Sequence, residues 1–154
     1  MGGSVVKKIG FLFGIIGIIG IALYLVLAQP NLETNLLGTG EDKKVILVTL
    51  ENTGFRDIQL LDIHVNGTQK PNKVKLQVNK TGKGFAITDT FDNPGYEFID
   101  YDSIAIEPEK VVNKNKEEIV SVYALSIKHS VEVHSISVRY KYLGKEFEEI
   151  AKID

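Results

Sequence analysis

Three histidines are the side chains best suited to metal binding or proton transfer in this cysteine-free chain. His64 falls late in a predicted strand, and His129 and His134 flank a predicted turn. A metal site would need further ligands from elsewhere in the fold, and the helical HExxH spacing is absent. The sequence therefore favours surface or strand-edge histidines over a metal centre.

Other signatures of catalysis are also missing from the sequence. There is no GxSxG elbow, P-loop or dinucleotide fingerprint, and Gly82-Lys83-Gly84 is too short to predict phosphate binding. The serines near the histidines come with no identifiable base and carboxylate, and the lack of cysteine excludes thiolate chemistry. We expect a protein that is not an enzyme and carries no cofactor or metal.

The segment Asp89–Asp102 combines acidic and aromatic side chains more densely than the rest of the chain. Calcium ligation is one interpretation, although the spacing is not that of an EF-hand loop. A second is a crossover between two sheets, with aromatics capping the core and acids in water. The third is a partner-contact loop, because rigid aromatics anchor protein partners and acids steer basic ones. Its contact residues would be Phe91, Asp92, Tyr96, Phe98 and Tyr101.

These residues must be positioned by a chain that begins with an uncharged apolar stretch, Ile9–Ala28. A helix of that length matches the roughly 30 Å hydrocarbon core of a bilayer. Lys7 and Lys8 precede the stretch, and acidic residues follow it before Lys43 does. The positive-inside rule then predicts a single-pass cell-membrane protein with a cytoplasmic N-terminus and an extracytoplasmic C-terminal domain.

Two kinds of N-terminal processing offer alternatives to this signal anchor. Val26-Leu27-Ala28 fits the small-residue rule for a cleaved secretory signal, although the apolar run is longer than an ordinary signal sequence has. Lys7-Lys8-Ile9-Gly10-Phe11 resembles the processing site of type IV prepilins. The glutamate typical of that family is replaced here by Ile15, and Pro30 argues against a long helix that continues past the stretch.

Within the apolar stretch, Gly10, Gly14 and Gly17 share one helix face, because their spacings of four and three residues are each close to one turn. Small residues on one face allow a second helix to approach closely. This pattern predicts self-association or docking to a partner's membrane helix, against the alternative that glycine is simply frequent in spanning helices.

The 154 residues carry a net charge of −2, and the part beyond the apolar stretch has 16 basic against 20 acidic residues. A nucleic-acid-binding protein would show a basic stripe, which this sequence lacks. We divide the chain into a cytoplasmic N-terminus (1–8), a transmembrane helix (9–28), a tether (29–42) and one extracytoplasmic domain (43–154). The expected partners are the lipid bilayer and another membrane or envelope protein.

Alternating apolar residues and turn signals after residue 42 predict a mainly β domain. A parity change near Leu60–Leu61 indicates a bulge, and Asn66-Gly67 favours a tight turn and a hairpin with the next strand. Seven to eight short strands indicate an antiparallel β-sandwich that resembles immunoglobulin and fibronectin domains. The predicted strands are Lys43–Glu51, Asp57–Val65, Lys73–Asn79, Gly84–Thr88, Ser103–Glu107, Glu117–Lys128, Val131–Leu143 and Glu146–Ile153.

Overall fold

The structure, a computed structural model, describes residues 3–27, 29, 31–80, 82–109 and 122–153, with the side chains of residues 3–13 left out. The chain divides into two compact units, Met1–Pro30 and Asn31–Asp154. The first contains helix α1 (Gly3–Leu27). The second contains eight strands, β1 (Leu32–Thr39), β2 (Val45–Asn52), β3 (Gln59–Val65), β4 (Lys73–Val78), β5 (Glu97–Ile99), β6 (Tyr123–Lys128), β7 (Ser135–Tyr142) and β8 (Lys145–Lys152).

The strands form two antiparallel sheets, which confirms the mainly β prediction. One has five strands in the order β1-β2-β6-β4-β5, and the other has three in the order β3-β7-β8. A single buried cluster draws apolar side chains from both sheets. Val48 of β2, Leu125 of β6 and Val138 of β7 are fully buried in it, so neither sheet holds its apolar face in water.

Two predicted strands have the faces that their alternation indicated. In β7, Ile136, Val138, Tyr140 and Tyr142 are all buried, as period-two counting predicts. In β2 successive side chains from Ile46 to Leu50 are all buried, so both of its faces are covered, and β1 and β6 flank it within the sheet. An interior strand of this kind reads as a continuous apolar run.

The predicted tether of residues 29–42 is wrong, because β1 lies within it. Strand β1 pairs antiparallel with β2 along its length, and its register shifts between Leu36 and Gly38. An edge strand needs a partner on one side only and tolerates glycines and a bulge. The turn residues that indicated a tether are therefore compatible with this strand.

The predicted hairpin between Asp57–Val65 and Lys73–Asn79 is also wrong. Asn66 and Gly67 do form a turn with positive φ of 50° and 92°, and the register of β3 shifts between Leu60 and Asp62, as predicted. However, β3 pairs with β7, whereas β4 pairs with β6 and β5 in the other sheet. The turn leads only to a bridge between Val65 and Gln69 before the chain changes sheets.

Three further strand predictions need correction or fall partly outside the described residues. The segment 84–88 forms no strand, and the predicted strand Ser103–Glu107 is reduced to a single bridge from Ile106 to Ile58. The segment predicted as a loop, Asp89–Asp102, contains β5. Strand β6 begins at Tyr123, and the earlier part of the predicted strand Glu117–Lys128 lies in residues 110–121, which are not described.

Candidate functional site

Two aromatic residues of the predicted partner-contact loop pack against each other within the protein. Phe91 is only 7% exposed, and its ring meets that of Phe98 edge-on with 5.9 Å between centroids. The ammonium group of Lys73 lies 4.7 Å from the centroid of the Phe91 ring. This cation–π contact and the edge-to-face pair are packing interactions within the protein, so Phe91 offers little surface to a partner.

The other three loop residues lie in different surroundings. Asp92 is exposed, and Tyr96 is half-buried in the wall of a cleft. Tyr101 packs against the buried core cluster, where burial raises the pKa of its hydroxyl, an effect strengthened by the charge of Asp62. A partner-contact role for these residues stays a prediction.

Three of the five acidic side chains of the same segment pair with lysines. Asp89 lies 3.2 Å from the ammonium of Lys128, and Glu97 lies 3.0 Å from that of Lys80. Asp100 likewise pairs with Lys75. Over the described ranges, no three His, Cys, Asp or Glu side chains come close enough together to hold a metal ion. The geometry therefore gives the calcium hypothesis no support.

A buried glutamine, Gln77, links residues 84–88 to the five-stranded sheet, and the sequence did not predict this role. Alternation places Gln77 on the same face of β4 as Lys73 and Lys75, which is the pattern of a solvated face, yet Gln77 is 1% exposed. Its side-chain amide donates to the Ala86 carbonyl at 2.7 Å and to the Ser126 hydroxyl at 2.6 Å, and it accepts from the Ala86 N–H at 2.9 Å. Residues 84–88 are thus held against the sheet by a side chain instead of a strand ladder.

Two adjoining cavities form a cleft at the end of the five-stranded sheet where β4 ends and β5 and β6 begin. We call this the β4–β5 cleft. The cavities have volumes of about 510 and 430 Å³ and share the wall residues Val78, Asn79, Lys80 and Glu97. The larger has an apolar floor and is lined additionally by Asp57, Ile99, Ile104, Ala105, Glu107, Val122 and Tyr123. The smaller is lined additionally by Lys83, Gly84, Gly95 and Tyr96.

The two ends of the β4–β5 cleft differ in charge. Lys80 and Glu97 form an ion pair in the shared wall, and their two charges cancel. Asp57 and Glu107 then leave the larger cavity negative, whereas Lys83 leaves the smaller one positive. Burial raises the pKa of the Tyr123 hydroxyl, and the neighbouring Glu107 carboxylate adds to this shift.

One buried polar group in the shared wall is left without a partner. Asn79 is 6% exposed, and its Oδ1 accepts the N–H of Gly82 at 2.9 Å. Its Nδ2 is buried and has no hydrogen-bond partner in the part of the chain that the structure describes. Leaving a buried donor of this kind unpaired costs about 1–3 kcal/mol of stability.

The three histidines lie in different parts of the β domain. His64 Nε2 lies 3.5 Å from Asp62, and Ser137 stands opposite His64 on β7, but the Ser137 hydroxyl donates to Glu148. His129 is buried, with Nε2 3.0 Å from the Gln69 side chain, and His134 is exposed. The three rings therefore have three separate environments, and the buried His129 contradicts the prediction of surface or strand-edge histidines.

The predicted helix-packing glycines lie in α1. A Cβ added at Gly14 or Gly17 would meet nothing within 4 Å, so this face is open on the described part of the helix. Gly10 belongs to residues 3–13, whose side-chain surroundings are not described, and Ala28 also lies outside the described residues. Over the residues available for assessment, no helix reaches the length and apolarity needed to cross a membrane.

Comparison with protein-family models, curated proteins and solved structures finds no match to this chain.

Proposed function

We propose that this protein is a single-pass membrane protein whose extracytoplasmic β domain binds or supports another membrane or envelope protein. Residues 9–28 form the anchor in this proposal, and the domain acts without catalysis. The observation that carries it is the continuous apolar surface of α1.

The described side chains of α1 from Ile15 to Leu27 include ten large apolar residues that are 39–69% exposed. Burying one such side chain fully is worth about 1.5–3 kcal/mol, so ten of them about half exposed in water would cost roughly 8–16 kcal/mol, which is comparable with the roughly 5–15 kcal/mol that stabilises an ordinary domain. A helix with this surface needs lipid or a protein partner around it. The uncharged sequence continues upstream to Ile9, which favours lipid.

Charge supports the proposed orientation. Lys7 and Lys8 lie immediately before the apolar stretch, and Glu33, Glu41 and Asp42 follow it before the next lysine. This asymmetry favours a cytoplasmic N-terminus. The absence of cysteine from the whole chain means that the external domain would depend on its apolar core for stability.

For the domain itself, two antiparallel sheets that contribute to one buried cluster fit a β-sandwich. We include an immunoglobulin- or fibronectin-like arrangement in the proposal as an analogy of architecture, which says little about activity. A binding role is supported by the β4–β5 cleft, which combines an apolar floor with charged ends.

The proposal is tested in cells that express the full chain with a C-terminal tag. We expect it to stay in the membrane fraction after alkaline extraction, to retain residues 1–28 by intact mass, and to co-purify with a crosslinked protein in mild detergent. Release of the protein by alkali would contradict the proposed membrane anchor. Loss of residues 1–28 would favour N-terminal processing. Isolation without any crosslinked protein would overturn the partner-binding role.

A further inference from the structure

The geometry points to the loop between β2 and β3, residues 53–56, as a contact of the β domain with the phospholipid surface. We call it the 53–56 loop. The Phe55 ring would enter the boundary between headgroups and acyl chains, and the Arg56 guanidinium would pair with lipid phosphates. This inference rests on the proposed function, because the loop meets lipid only if residues 9–28 are an anchor.

The 53–56 loop is tied to the start of the β domain. The N–H of Thr53 donates to the Asn31 carbonyl at 2.9 Å, and the Thr53 hydroxyl donates to the same oxygen at 3.2 Å. Asn31 is the third residue after Ala28, the last residue of the apolar stretch. Three residues of extended chain span about 10 Å, and the headgroups cover roughly 5–7 Å on each side of the hydrocarbon core. An anchor that spans the bilayer therefore keeps this loop close to the headgroups.

Contacts within the domain hold the 53–56 loop in one conformation. Asn52 accepts the Gly54 N–H at 3.0 Å and donates to the Arg56 carbonyl at 2.9 Å. The Tyr142 hydroxyl accepts the Phe55 N–H at 3.3 Å, and the two rings meet edge-on with 6.1 Å between centroids. A Cβ added at Gly54 would lie 2.8 Å from the Tyr142 hydroxyl, so this packing requires glycine. The loop is thus already ordered before it meets a surface, which lowers the entropy cost of binding.

The exposed side chains of the loop suit the interface of a bilayer. Phe55 is 52% exposed, and apolar side chains of this kind bury themselves at the boundary between headgroups and acyl chains. Arg56 is exposed beside it and takes part in no ion pair among the described residues, whereas Arg139 pairs with Glu146 at 3.0 Å. The next carboxylate, Asp57, lines the larger cavity of the β4–β5 cleft. The Arg56 guanidinium is therefore available for a charge-assisted hydrogen bond to phosphate.

The size of this surface favours lipid over a protein as its occupant. One aromatic ring and one cation are far smaller than the roughly 800 Å² that each partner buries in a stable protein interface. A loop that its own anchor holds near the bilayer needs much less, because the tether supplies lipid at a high effective concentration.

The test uses the full chain in vesicles of phosphatidylcholine and phosphatidylglycerol whose acyl chains carry bromine. The chain has no tryptophan, so Phe55→Trp gives a single fluorescent reporter that brominated acyl chains quench on contact. Val131→Trp is the matched control, because Val131 is 50% exposed and precedes β7, at the opposite end of that strand from Tyr142. We expect quenching by lipid, and emission at shorter wavelength, for Phe55→Trp alone.

Two further variants test the role of the cation. Arg56→Gln, combined with Phe55→Trp, should lower the ratio of lipid-bound to free loop about fivefold, the usual contribution of one basic side chain near an anionic lipid surface. Arg139→Gln in the same background removes an equal charge from a paired position and should leave the ratio unchanged.

The unaltered chain gives a second readout that does not depend on the folding of any variant. In lipid nanodiscs that contain a spin-labelled phospholipid, the amide resonance of Phe55 should broaden and that of Val131 should not. Equal broadening of the two resonances, or quenching of Phe55→Trp that Arg56→Gln leaves unaltered, would contradict the inference.

Flotation of the vesicles after an alkaline wash separates this inference from the proposed function. Protein that floats but leaves Phe55→Trp as weakly quenched as Val131→Trp would overturn the lipid contact and keep the anchor. If position 55 then crosslinked to another protein in cells, the loop would belong to that partner instead. Protein that does not float would contradict the anchor, and the lipid contact with it.

Discussion

Replacing Gln77 by alanine should destabilise the β domain more than any other single polar substitution that we propose. The change removes three hydrogen bonds and leaves the N–H and C=O of Ala86 and the hydroxyl of Ser126 in buried positions. At about 1 kcal/mol for each lost bond, the free energy of unfolding falls by about 3 kcal/mol. For a domain of this size that corresponds to a fall in Tm of roughly 10–15 °C.

The assay is thermal unfolding of the full chain in detergent, followed by far-ultraviolet circular dichroism. Gln77→Met preserves most of the side-chain volume without the amide, so it should lose nearly as much stability and thereby attribute the loss to hydrogen bonding. Gln59→Ala, at an exposed position of β3, is the matched control and should change stability by less than about 0.5 kcal/mol. Hydrogen exchange of the Ala86 amide should accelerate only in the Gln77 variants.

A Gln77→Ala variant that melts within a degree or two of the Gln59→Ala control would refute the stabilising role of the Gln77 hydrogen bonds. This role would also be refuted if Gln77→Met were as stable as the unaltered protein, because the hydrogen bonds would then contribute nothing measurable.

Three other predictions follow from particular positions. Leu125 is fully buried in β6, so Leu125→Ala should cost about 2–5 kcal/mol in the same melting assay, and a loss below 1 kcal/mol would contradict the assigned core. Burial and the charge of Glu33 raise the pKa of Glu149, so the fold favours the protonated form, and stability falls as pH rises through that raised pKa. Glu149→Gln should therefore raise the free energy of unfolding at pH 7, by at most about 1 kcal/mol after solvent screening, and leave it unchanged at pH 4, whereas a variant destabilised at pH 7 would contradict this sign. Gly14→Ile should abolish crosslinked oligomers of the chain in membranes, and unchanged crosslinking would exclude packing through that helix face.

The strands that could be predicted are those in which the order of apolar and polar residues indicates which face is buried. Alternation along β7 identified its buried face, and the parity change in β3 located the register shift near Leu60. Both signals are local, because successive side chains of a strand point to opposite faces whatever the strand pairs with.

The sequence of a single strand does not specify which other strand it pairs with. The wrong predictions of pairing have this cause. The Asn66-Gly67 turn indicated a hairpin, but the chain continues from it into the other sheet, where β4 finds β6. Strand β1 was missed because its sequence, with Gly38 inside it and Gly40 just after it, indicated turns, whereas its pairing with β2 forms only in the folded sheet. Gln77 looked solvated because nothing in β4 shows that residues 84–88 cover that face.

The candidate site was harder to predict for the same reason. Asp57, Asn79 and Glu107 lie far apart in sequence, and the cleft exists only where the chain brings their segments together. The one signal available was Asp89–Asp102 with its dense aromatics, of which Tyr96 borders the cleft while Phe91 is buried.

The central claim, a retained membrane anchor with the β domain outside, is tested most directly by cysteine labelling. The natural chain has no cysteine, so a single substitution gives one labelled position. Intact cells that express either Val131→Cys, at an exposed position before β7, or Ser4→Cys are treated with a membrane-impermeant maleimide. We predict labelling of Val131→Cys alone, with Ser4→Cys labelled only after the membrane is permeabilised. Labelling of Ser4→Cys in intact cells, or protection of Val131→Cys, would contradict the account.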